Sequence, residues 1–98
     1  MISIKEIIKE DSLLYIDTIG DFYTVLNYLF DNNLFPYNSF KINEYFYERT
    51  TMFSFTKGCN TFYVPTNIYK SGDYEGYRQY HFNDIIEFQK PVLNFDIL

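Results

Sequence analysis

Phe22, Val25, Leu26, Leu29 and Phe30 fall at i, i+3, i+4, i+7 and i+8. That spacing places five apolar side chains on one stripe of an α-helix, with Asp21, Thr24, Asn27 and Asp31 facing outward. Such a stripe needs a second layer to cover it. The helix is expected over residues 19–32. Thr18 and Asp21 have capping-box spacing at its start, Asn32 and Asn33 suit a left-handed terminus, and Pro36 excludes continuation.

The rest of the chain supplies strands. Ser3 and Glu6 also have capping-box spacing, so a short helix is expected over residues 4–10, followed by a strand over residues 13–17. From Phe40 the residue usage changes to Phe, Tyr, Thr and Ile, which suit a pleated, half-buried surface. Strands are expected over residues 40–47 and 50–56. The turn Lys57-Gly58-Cys59-Asn60 and a return strand over residues 61–64 complete a hairpin, ended by Pro65. Residues 66–76 read as a loop and 77–82 as a further strand. Asn83 is placed to cap a helical turn over residues 84–88, and Leu93, Phe95 and Ile97 alternate as a final strand. The order predicts an α+β fold: one main helix packed on a mainly antiparallel sheet, in a single domain over residues 1–98.

Composition narrows the function classes. Eight Lys and Arg against 13 Asp and Glu leave a net charge of −5. That field disfavours direct contact with nucleic acid and suits a protein partner with a basic surface. A homodimer stays open. One cysteine excludes an internal disulfide and any multi-cysteine zinc site. No apolar stretch reaches the length of a membrane span, and no secretory leader is recognisable, so a cytoplasmic, membrane-independent protein is expected.

The search for catalytic chemistry is negative. His81 is the only histidine, so no metal-binding histidine pair exists, and no Gly-rich phosphate loop is present. A Cys59–His81 dyad is disfavoured, because Cys59 falls in a hairpin turn with no helix N-terminus to activate the thiol. Asp73 with Glu75 and Asp84 with Glu87 are carboxylate pairs that any solvated surface provides. No catalytic residue, metal or cofactor is therefore expected, and the chain reads as a non-enzyme.

Eleven Tyr and eleven Phe make 22% of the chain aromatic, more rings than a small core readily hides. Four of the Tyr fall within residues 69–81, beside an Arg, a His and two Gly. Tyr and Arg are common interface anchors, and Gly lets a loop conform to a partner. Asp73, Tyr74, Glu75, Tyr77, Arg78 and Tyr80 are therefore the expected partner-binding residues, against the alternative that these Tyr cover a sheet face. The apolar loop at residues 33–37 is the second candidate, against the alternative that it folds back on the core.

Size, acidity, lack of a catalytic motif and the Ile-, Asn-, Lys-, Tyr- and Phe-rich usage of an AT-rich genome make the chain resemble small phage-encoded counter-defence proteins, the anti-CRISPR type among them. The resemblance implies an inhibitor that covers a functional surface of a host macromolecule. Toxin-immunity proteins share the style. A binder of a small nucleotide-like signal, with Tyr rings on the base and Arg78 or Lys70 on phosphate, is the alternative from another class. A small enzyme and a structural role in a virion complete the alternatives.

Overall fold

The structure is a computed structural model, and it describes residues 1–36, 51–65 and 74–89. The strands expected over residues 40–47 and 93–97, most of the loop from residue 66, and the candidate residues Tyr37, Lys70 and Asp73 lie outside the described residues.

Both α-helices among the described residues begin where side chains satisfy free backbone donors. Helix α1 (Ile4–Ile7) opens with a capping box: the Ser3 hydroxyl accepts the Lys5 N–H at 3.2 Å, and the Glu6 carboxylate accepts the Ser3 N–H at 3.3 Å. Three-residue turns close it at Ile8, so it is shorter than its capping spacing and apolar content suggest. Strand β1 (Ser12–Tyr15) follows. Helix α2 (Ile19–Asp31) starts at Thr18, whose hydroxyl accepts the Asp21 N–H at 3.1 Å. It ends in a Schellman motif. Asn33 takes φ 54°, Asn33 N–H donates to Phe30 C=O at 3.1 Å, and Leu34 N–H donates to Leu29 C=O at 3.0 Å.

Strands β2 (Met52–Phe55), β3 (Phe62–Tyr63) and β4 (Arg78–His81) complete a sheet of order β3-β2-β1-β4. The β1–β2 and β2–β3 pairings are antiparallel, as expected from the hairpin. The β1–β4 pairing is parallel. A parallel neighbour needs a crossover, and the chain between β1 and β4 includes α2 and the β2–β3 hairpin. Register sets two ends of the sheet. Ser12 lies opposite both Phe55 and Arg78, and Tyr15 opposite both Met52 and His81.

The expected stripe covers one sheet face. Phe22, Val25, Leu26 and Leu29 are buried with Leu14, Ile16, Phe53, Phe55 and Phe62, while Phe30 is half-buried against the same core. Phenylalanines dominate it: Phe22 lies 4.7 Å from Phe53, and Phe62 lies 5.5 Å from Phe53, between ring centroids. On the opposite sheet face Leu13, Met52 and Ser54 are also buried, outside this cluster. The Ser54 hydroxyl has no hydrogen-bond partner among the described residues.

The expected helical turn over residues 84–88 is corrected in detail. Two 3-10 turns, Phe82–Asp84 and Ile86–Phe88, take its place, and His81 rather than Asn83 caps the first. His81 Nδ1 accepts the Asn83 N–H at 3.1 Å, and Asp84 returns the capping box onto His81 N–H at 2.9 Å. These turns hold the N-terminus. Ile2 N–H donates to Asp84 C=O and Ile86 N–H to Ile2 C=O, both at 2.9 Å. Glu87 accepts the Ser3 hydroxyl and, at 2.9 Å, the Ile4 N–H.

Candidate partner-binding surface

Three connections converge at the Ser12 end of the sheet: residues 10–11 entering β1, the β2–β3 turn, and the turn entering β4. The last two use the same backbone chemistry. Cys59 N–H donates to Thr56 C=O at 3.0 Å with Gly58 at φ 82°, and Tyr77 N–H donates to Tyr74 C=O at 3.1 Å with Gly76 at φ 84°. A positive φ at the third turn position is what glycine supplies without steric cost.

Four hydrogen bonds tie the three connections together. Arg78 N–H donates to Asp11 C=O at 3.0 Å, and Lys57 N–H donates to the Asp11 carboxylate at 2.9 Å. Tyr77 Oη and Thr56 Oγ1 lie 2.7 Å apart, and Tyr80 Oη donates to Glu10 Oε1 at 2.6 Å. Because the Glu10 carboxylate accepts that proton, and burial adds to its effect, the Tyr80 hydroxyl ionises above its ordinary range, with Arg78 opposing. The Tyr80 hydroxyl, with Glu10 behind it, in turn raises Arg78.

The candidate residues divide by what their side chains already do. Tyr80 is half-buried against the core, and the hydroxyls of Tyr77 and Tyr80 are used within the chain. Glu75 and Arg78 are exposed. Tyr74 is half-buried, its ring edge-on to Tyr77 at 5.3 Å, and its hydroxyl makes no hydrogen bond among the described residues. Tyr74 and Glu75 therefore present unspent groups on a turn whose backbone is fixed, and Arg78, the first residue of β4, is exposed beside them with its guanidinium against the Tyr80 hydroxyl. The structure also brings in Glu10, Asp11 and Thr56. From sequence these stand only as charges and a strand residue, since their partners are far along the chain.

Comparison with protein families, curated proteins and solved structures returns no match.

Cys59 and His81 are at opposite ends of the sheet. Cys59 follows Phe55 at the Ser12 end, whereas His81 pairs with Tyr15. The His81 ring is engaged on both nitrogens: Nδ1 accepts the Asn83 N–H, which leaves the proton on Nε2, 2.7 Å from the Asp17 carboxylate. Among the described residues no group of three His, Cys, Asp or Glu side chains is placed to hold a metal, and no helix is long and apolar enough to cross a membrane.

The second candidate loop folds back. Phe35 is buried, stacked 5.9 Å from Phe55 and edge-on to Phe62 at 5.4 Å, and Leu34 is half-buried against the same core.

Proposed function

We propose that this chain is a non-catalytic binding protein, a cytoplasmic inhibitor of the phage counter-defence type that covers a basic or nucleic-acid-handling surface of a host protein. The observation that carries the reading is the cross-linked loop cluster at the Ser12 end of the sheet. Its four hydrogen bonds fix the connections before any partner arrives, so little ordering entropy is left for association to overcome. Tyr74 and Arg78 are interface-type anchors on that platform, with Glu75, Glu10 and Asp11 setting a charge that favours Lys and Arg on the partner. All of the excess negative charge belongs to the described residues, where nine Asp and Glu meet Lys5, Lys9, Lys57 and Arg78.

Affinity capture from an extract of the native host tests the reading, with mass spectrometry of both proteins and small molecules. A basic protein retained in stoichiometric amount, and released by salt, is the expected result. Retention of a nucleotide without a protein would replace the inhibitor by a nucleotide-binding protein.

A further inference from the structure

A groove of about 600 Å³ opens beside the loop cluster, where the C-terminus of α2, the exit of α1 and the β2–β3 turn meet. Its volume falls in the range of roughly 300–1,000 Å³ typical of small-molecule sites. The walls are mostly apolar: Ile8, Phe30, Leu34, Phe35 and Pro36. The Schellman motif at Asn33 builds them. By reversing the chain it sets Leu34 and Phe35 against the core, where the rings of Phe55 and Phe62 hold Phe35 in place.

Three polar side chains complete the lining among the described residues, those of Lys9, Asn33 and Asn60, beside the Cys59 thiol. None of the three has a hydrogen-bond or ion-pair partner among the described residues. Among the described residues no carboxylate belongs to that lining, in a chain where acids outnumber bases. The described part of the lining therefore carries a charge opposite in sign to the net charge of the chain. The C-terminal pole of α2, which repels anions, is already satisfied: Asn32, Asn33 and Leu34 N–H groups donate to the last-turn carbonyls of Tyr28, Phe30 and Leu29.

An apolar trough with an ammonium and two amides that have no partner among the described residues is complementary to an apolar tail carrying an anionic head. We infer that this groove binds a small amphipathic carboxylate, its tail along Phe30, Leu34 and Phe35 and its head on Lys9. The inference does not depend on the protein-binding reading. Its residues, although adjacent, are distinct from Tyr74, Glu75 and Arg78.

Cys59 makes the test direct, because it is the only cysteine, is exposed and lines the groove. Decanoate is titrated into the protein while the rate of Cys59 alkylation and the heat of binding are followed, with decanol and decylammonium as controls. Saturable one-to-one binding of decanoate is expected, with slower alkylation and at least about tenfold preference over decanol, a difference of about 1.4 kcal/mol. Lys9→Gln should bring decanoate to the level of decanol. Asn60→Trp, which fills the groove from an exposed turn, should abolish binding while leaving the melting temperature near that of the wild type. Absence of saturable heat and thiol protection up to about 1 mM decanoate overturns the inference. So does equal or tighter binding of decylammonium, or wild-type affinity in Lys9→Gln.

Discussion

Tyr77→Phe removes a single oxygen and tests whether the loop cluster is tied together as the geometry indicates. The ring stays available for its edge-on contact with Tyr74 at 5.3 Å, so packing is preserved. What is lost is the contact between Tyr77 Oη and Thr56 Oγ1 at 2.7 Å. A hydrogen bond of this kind contributes about 0.5–1.5 kcal/mol net, and because both residues are half-buried, water replaces part of it. The expected loss is therefore about 1 kcal/mol. In a domain of this size that corresponds to a fall of about 4–8 °C in melting temperature. Tyr63→Phe is the control, since Tyr63 is 56% exposed and its hydroxyl has no partner among the described residues. It should stay within about 0.5 kcal/mol of the wild type. The assay is urea and thermal denaturation followed by circular dichroism. A double-mutant cycle with Thr56→Val isolates the pair, and a coupling near 1 kcal/mol is expected. Tyr77→Phe indistinguishable from the wild type, or a coupling near zero, would refute the cross-link and with it the rigid platform.

Two further perturbations probe the rest of the fold. Ser54→Ala removes a buried hydroxyl that has no partner among the described residues, so stability should be unchanged or raised by up to about 1 kcal/mol, and a loss above about 1 kcal/mol in urea denaturation would show that the hydroxyl is bonded. Glu87 ties the 3-10 turns to the start of α1, and although burial alone would raise its carboxyl, the bonds from Ser3 and Ile4 N–H, with Lys5 nearby, hold it below the usual carboxylate range. Its contribution is complete above the unfolded value of about 4.3 and is lost as pH falls through the lower folded value. Glu87→Gln should therefore be less stable at neutral pH, with the gap to the wild type narrowing as pH falls below the unfolded value of about 4.3, and a gap that stays constant or widens through the acid range would contradict the linkage.

Local chemistry accounts for what was legible in the sequence. The period of Phe22 to Phe30, the Thr18 cap, the Asn32-Asn33 terminus and the Lys57-Gly58 turn each state their structure within a few residues, and each holds. The two capping boxes differ in this respect. Ser3 with Glu6 follows the usual residue preference, whereas His81 with Asp84 does not, because an imidazole nitrogen is an uncommon cap acceptor. The parallel β1–β4 pairing was not legible, since strand direction depends on a crossover rather than on any local pattern. Within the candidate surface the Tyr-rich stretch stood out by composition. The use of each Tyr did not, because Thr56 and Glu10, which take up the hydroxyls of Tyr77 and Tyr80, are separated from them by 21 and 70 positions.

The central claim is that the turn carrying Tyr74, with Arg78 at the start of β4, meets a protein partner. Titration calorimetry of the captured partner against the wild type, Tyr74→Ala, Arg78→Ala and Ile86→Ala tests it most directly, with a thermal melt of each variant alongside. Ile86 is 56% exposed and follows β4 at the opposite, His81 end of the sheet, so it serves as the control. Tyr74→Ala and Arg78→Ala should each weaken binding by roughly thirtyfold, with Ile86→Ala unchanged and all three folded. Wild-type affinity in both Tyr74→Ala and Arg78→Ala, or an equal loss in Ile86→Ala, would contradict it.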